Sequence, residues 1–94
     1  MFRRVVEVID GDTFRVYPRW RWNNKEGEVV RPRGYDAPEK GEPGYYEAKA
    51  KLEKLILGKN VDLRNPVGVT YGRLLCDVYI NGKNLADYFP EYET

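Results

Sequence analysis

Histidine, serine and glutamine are absent from this chain, and cysteine occurs once, at Cys76. With no imidazole to activate a hydroxyl or a thiol, Ser-His and Cys-His nucleophilic chemistry is excluded. Histidine-based zinc sites go with it, and a lone Cys76 forms neither an intrachain disulfide nor a thiolate metal cluster. No apolar run approaches the length of a membrane span, and Met1-Phe2-Arg3-Arg4 opens into an alternating pattern, not an apolar secretory segment. The expectation is a cytoplasmic protein with no membrane partner. Carboxylates, arginines, lysines and tyrosines remain to carry chemistry.

Ninety-four residues make one domain, spanning 1–94, with an economical core, because a chain of this size buries only roughly 60–65% of its unfolded surface. The net charge is +1, which argues against a dedicated packaging protein, but the charge is uneven. Residues 1–35 hold eight bases (Arg3, Arg4, Arg15, Arg19, Arg21, Lys25, Arg31, Arg33) against five acids (Glu7, Asp10, Asp12, Glu26, Glu28). The end of the chain carries Asp87, Glu91 and Glu93 without a base. A basic N-terminal half suits phosphates, and it equally suits a mixed solvated surface.

Residues 2–9 alternate, with Val6 and Val8 on one face and Val5, Glu7 and Ile9 on the other, until Asp10-Gly11-Asp12 forms a turn. A second strand runs from Thr13 to about Trp22, a loop covers Asn23–Gly27, and a third strand follows from Glu28 to Tyr35. Beyond Pro43, the residues Tyr45, Ala48, Leu52, Leu55 and Ile56 recur at helical spacing, and Gly58 ends the helix. A short strand at Val61 and Leu63, a loop at Asn65–Gly68 and a strand from about Tyr71 to Ile80 come next. Asn84 then caps a short helix that Pro90 stops. The order predicts an α+β, mainly β protein: a five-stranded OB-like barrel with one long helix and one short C-terminal helix.

Three segments concentrate the chemistry. Asp10-Gly11-Asp12-Thr13 sets two carboxylates on a tight bend, where they either present oxygens to a hard cation or simply make a good turn. An EF-hand is ruled out, since counting from Asp10 its fifth and twelfth positions are Phe14 and Arg21. Arg31-Pro32-Arg33-Gly34-Tyr35-Asp36-Ala37-Pro38-Glu39 brings a guanidinium and two carboxylates to a strand exit. Strict alternation puts Arg31 and Asp36 on opposite faces, so their convergence requires the strand to end or bulge, which Gly34 permits. Otherwise they form an exposed ion-pair cluster. Tyr71-Gly72-Arg73 sets an arginine fork beside a glycine that lets a ligand come close. Jointly these are the parts of phosphoryl transfer: acidic metal ligands, a carboxylate base and two arginines.

In this order Val8-Ile9-Asp10-Gly11-Asp12-Thr13, Arg31-x-x-Gly34-x-Asp36-Ala37-Pro38-Glu39 and Tyr71-Gly72-Arg73 resemble the motifs of the staphylococcal nuclease (thermonuclease-like) family, over roughly residues 3–88. The resemblance implies a Ca²⁺-dependent nuclease acting on DNA or RNA and leaving a 5′-hydroxyl and a 3′-phosphate. It implies that Asp12, Asp36 and the backbone carbonyl of Ala37 hold Ca²⁺, that Asp10 steadies the metal waters, and that Glu39 acts on the attacking water. Arg31 and Arg73 would clamp the phosphate, and Tyr71 would contact the substrate. The chain departs from the pattern at Pro32, where a core leucine-like residue is usual, and at Thr70, where a lysine would precede the tyrosine. It resembles a compact version lacking the family's C-terminal helical region, with a monomer as the default state. Tyr88, Phe89 and Tyr92 are then expected to cover the barrel.

Arg19-Trp20-Arg21-Trp22 alternates base with aromatic, so the tryptophans share one face, either as a stacking platform or packed against a neighbouring hairpin or a second subunit. This motif and the Pro32 departure motivate an alternative function, a non-catalytic OB-type module that binds nucleic acid or a protein partner.

Overall fold

A computed structural model describes all 94 residues. The strands are β1 (Phe2–Asp10), β2 (Thr13–Trp22), β3 (Lys25–Pro32), β4 (Asn60–Thr70), β5 (Arg73–Ile80) and the short β6 (Lys83–Asn84), and the helix α1 is Tyr45–Ile56. They lie in the order β3-β2-β1-β4-β5-β6, and a parallel pairing of β3 with β5, Val29 opposite Arg73 through Pro32 opposite Cys76, closes the first five into a barrel. That closure removes both open edges of the five-stranded sheet. The barrel and its single helix agree with the expected OB-like architecture. No helix is long and apolar enough to cross a membrane.

Inward positions of β5, Leu74, Cys76, Val78 and Ile80, alternate with half-buried Arg73, Leu75, Asp77 and Tyr79, as period-two patterning requires. Helix α1 turns Tyr45, Ala48, Leu52 and Ile56 inward, the stripe its spacing predicts. Burial raises the Cys76 thiol to about 12, so it stays a neutral core residue.

Several local expectations are corrected. Val5 and Val8, not Val6 and Val8, enter the core, because an irregularity between Val5 and Glu7 breaks the alternation and leaves Val6 42% exposed. The β2–β3 loop shrinks to a two-residue turn with Asn23 and Asn24 both at positive φ (54° and 63°), and Gly27 becomes part of β3. Gly27 lies opposite Trp20, and a Cβ there would stand 2.7 Å from the indole. The expected loop at Asn65–Gly68 is instead an irregularity inside one continuous β4, with Asn65 at φ 53°. Tyr71 and Gly72 form the turn before β5 and do not start the strand.

The third strand ends at Pro32, not Tyr35. Proline offers no N–H, yet Pro32 stays in register opposite Cys76 and is buried, and pairing resumes with the Arg33 amide on the Cys76 carbonyl (2.9 Å). The short C-terminal helix reduces to two 3-10 turns, Leu85–Tyr88 and Pro90–Tyr92, since so few residues cannot sustain an α-helical ladder. Asn84 does cap the first, accepting from the Ala86 amide (2.9 Å), but Pro90 opens the second. Phe89 is buried and stacks on Tyr35 at 4.4 Å, with Tyr88 and Tyr92 packed beside the core.

Candidate functional site

The β1–β2 turn sets Asp12 at the barrel surface but under cover. The Asp12 amide donates to Asp10 Oδ1 (3.1 Å), a bond that shapes the turn. Gly11 is required there by space: a Cβ would lie 2.7 Å from Ala48 Cβ on α1 and 2.8 Å from Ala37 Cβ. Helix and loop thus close directly on the turn. Gly11→Ala is expected to cost about 1–3 kcal/mol by overpacking, read as a lower urea midpoint at unchanged m-value.

The carboxylate of Asp12 is held from several sides. Its Oδ1 accepts from the Thr13 hydroxyl (3.2 Å) and its Oδ2 from the Ala37 amide (2.9 Å). The guanidinium of Arg31 stands 3.3 Å from the same Oδ2 and donates to Asp36 Oδ1 at 3.0 Å. Arg31 Nη1 is fixed by the carbonyls of Pro32 (3.0 Å) and Tyr35 (3.1 Å). The Arg31–Asp36 convergence comes about as the sequence suggests, by ending β3 and turning at Gly34, whose φ is +99°. Burial, with the neighbouring Asp10 carboxyl, pushes the Asp12 carboxyl up to about 7, against the opposing pull of Arg31 and the Ala37 amide.

Arg31 and Asp36 also line a groove of about 800 Å³ on the outside of the β3–β5 seam, together with Arg33, Thr70, Arg73 and Asp77. The parallel register explains this. Arg31 lies opposite Leu75, two residues from Arg73 on the same outward face of β5. Arg73 donates to the Thr70 carbonyl (3.3 Å) and sits 5.8 Å from the ring of Tyr71, which is 93% exposed.

Of the sequence candidates, Asp12, Arg31, Asp36 and the Ala37 amide therefore meet, with Asp10 bonded to the Asp12 amide behind them. Arg73 lines the groove that Arg31 and Asp36 share, and Tyr71 stands next to Arg73. Glu39 does not join them. It is exposed in the following loop, its amide bonded to Glu42 Oε1 (2.6 Å), and its carboxylate bonds to none of the other candidates. No three carboxylates close on one point. Sequence reasoning missed Tyr35, whose hydroxyl donates to the Gly11 carbonyl (2.8 Å) while its ring stacks on Phe89, so that it ties the third-strand exit to the Asp12 turn. It also missed Arg33, whose spacing of two from Arg31 was the available signal.

The tryptophan motif resolves toward burial. Trp20 is buried with its indole N–H on the Val29 carbonyl (2.8 Å), and Trp22 packs half-buried against the core. The pair makes no stacking platform.

For a divalent cation, the donor set fits a hard ion, since Asp12 and Asp36 offer only oxygens and aim them at a common position. The charge neutralising both is Arg31, so a cation could take that position only by displacing the guanidinium.

Fold and site together define a small closed β-barrel with an arginine-bridged acidic cleft beside a basic groove. No family model matches the chain. It is 41% identical over 73 residues to an uncharacterized 38.1 kDa protein of Capnoides sempervirens, an alignment covering 68% of this chain and 22% of that protein. The chain thus spans about a fifth of that relative's length.

Proposed function

We propose that this protein is a thermonuclease-like, Ca²⁺-dependent nuclease that hydrolyses phosphodiester bonds of DNA or RNA. The observation that carries the proposal is the convergence of Asp12, Arg31 and Asp36, with Nη2 of Arg31 at 3.3 Å and 3.0 Å from the two carboxylates, next to a groove that Arg73 shares. Asp12, Asp36 and the Ala37 carbonyl would hold the ion, with Asp10 fixing the turn. Bound there, Ca²⁺ supplies electron withdrawal from a phosphate oxygen.

The remaining steps belong to the chain. Arg31, once released from the carboxylates, and Arg73 donate to the phosphate oxygens as charge builds on them. Glu39 takes a proton from the water that attacks phosphorus, the bond to the 5′-oxygen breaks, and that oxygen takes a proton from solvent to leave as a hydroxyl. Tyr71 lies against the flanking nucleotide. The products are expected to carry 5′-hydroxyl and 3′-phosphate ends, so that a polynucleotide kinase labels them without prior dephosphorylation. Fragments with 5′-phosphate ends would refute the mechanism.

The separation of Glu39 from the cleft favours a second reading, a non-catalytic module that binds nucleic acid or a protein partner. Tight binding of single strands with no cleavage under any divalent ion would select it.

A further inference from the structure

We propose that the outer face of the β1–β2 hairpin, at the end away from Asp12, is a binding surface for single-stranded nucleic acid. Nucleic acid as the ligand class is shared with the proposed activity, but this surface lies apart from the cleft and binds whether or not the cleft cuts. Arg4 lies about seven residues along β1 from Gly11, a separation of roughly 23 Å at strand rise, in a molecule 37 Å long.

Arg19 and Arg21 reach this surface because Trp20, between them, turns inward. The arginine face of the Arg-Trp motif is therefore the exposed one. Next to it, Tyr17 pairs with Arg4 across the two strands. Phe2 and Tyr17 are 70% and 68% exposed, an unusual display for two large aromatics on neighbouring strands. Arg3 gathers the patch, donating from Nε to the Arg19 carbonyl (3.1 Å) and from Nη1 to the Phe2 carbonyl (2.8 Å).

The charge there is one-sided. Arg4 enters no ion pair, and Arg19 and Arg21 share the single carboxylate of Glu26 at 3.7 Å and 3.5 Å, leaving three guanidinium groups on this face against one acid, with Arg3, opposite buried Val61, at its edge. The nearby acids are otherwise engaged, Asp62 by Arg64 (2.6 Å) and the Met1 amine (3.0 Å), and Glu7 by Arg15 (2.6 Å). Guanidinium groups interleaved with open aromatic faces match a chain of phosphates and unstacked bases. A duplex keeps its bases stacked and gives the rings nothing to face, so single strands are the fitting partner.

The test is fluorescence anisotropy with a labelled oligothymidylate of about 12 nucleotides, within the usual span of one such barrel. It is run in chelator so that cleavage plays no part, for wild type, Tyr17→Ala, Tyr17→Phe and Arg4→Gln. Tyr17→Ala is expected to weaken binding about tenfold, and Tyr17→Phe to retain it. Arg4→Gln should lower the slope of log K against log salt by roughly 0.7. Thermal melts should match wild type, since both side chains are exposed. Three outcomes would each overturn the proposal: affinity unmoved by Tyr17→Ala, a salt slope unchanged in Arg4→Gln, or tighter binding to anionic vesicles than to the oligonucleotide. Loss of cleavage in Arg31 or Glu39 variants leaves the result untouched, so the two proposals fail separately.

Discussion

Replacing Arg31 by glutamine will strengthen calcium binding while abolishing cleavage. Its guanidinium now bridges Asp12 and Asp36 at 3.3 Å and 3.0 Å, so it competes for the oxygens an incoming cation needs. Removing it leaves two carboxylates without their counter-charge, one of them buried. The apparent affinity should rise at least about tenfold, corresponding to 1.4 kcal/mol. The titration belongs at about pH 8.5, because losing Arg31 also removes the pull that holds the Asp12 carboxyl down, and a proton would otherwise compete. Cleavage should fall by about 10³–10⁵, the range for a transition-state arginine. An ordinary structural ion pair would behave in the opposite way, its loss loosening the cleft and weakening calcium.

Asp12→Asn should eliminate calcium binding and make the protein more stable at neutral pH. The folded carboxyl ionises at about 7, against 3.8 for the unconstrained group. Folding therefore favours its protonated form, and that contribution to stability is complete below about pH 4 and is lost as pH rises through about 7. Above pH 7 the fold carries a buried charge that the unfolded chain does not. Asparagine preserves the shape: its amide oxygen can accept from the Ala37 amide, and the Thr13 hydroxyl can rotate to accept where it now donates. Because solvent still reaches the cleft, a gain of about 1–2 kcal/mol is expected in chelator at pH 8, with roughly 4–8 °C in Tm for each kcal/mol. The wild-type decline in stability from pH 5 to pH 7 should flatten in the variant. A lower Tm for Asp12→Asn at pH 8 would show that the carboxylate holds the turn together instead of straining it.

Much of this was legible in the chain. Alternation marked β1, β-branched and aromatic runs between turn residues marked β2 and β5, and the 3.6-residue stripe marked α1, because these signals are local to each element. The barrel followed from the order of elements, but the contact that closes it did not, since the parallel pairing of β3 with β5 joins segments about 40 residues apart with no local trace. Nor could alternation reveal the irregularity after Val5 that exchanges Val6 for Val8's true partner. Asn65-Pro66-Val67-Gly68 looked like a loop because turn residues also serve a bulge inside a long strand. In the cleft, Gly34 announced the convergence of Arg31 with Asp36. What the pattern could not show is that Arg31 bridges Asp12 and Asp36, or that Glu39 stands apart, because loop side-chain direction depends on tertiary contacts such as Tyr35 to Gly11.

The most direct measurement is digestion of single-stranded DNA and of RNA by the purified protein, with Ca²⁺ or with chelator, beside Glu39→Gln purified identically. Cleavage that requires Ca²⁺ and falls by about 10²–10⁴ in the variant is the predicted result. Cleavage that survives chelation, or proceeds equally in Glu39→Gln, would contradict it.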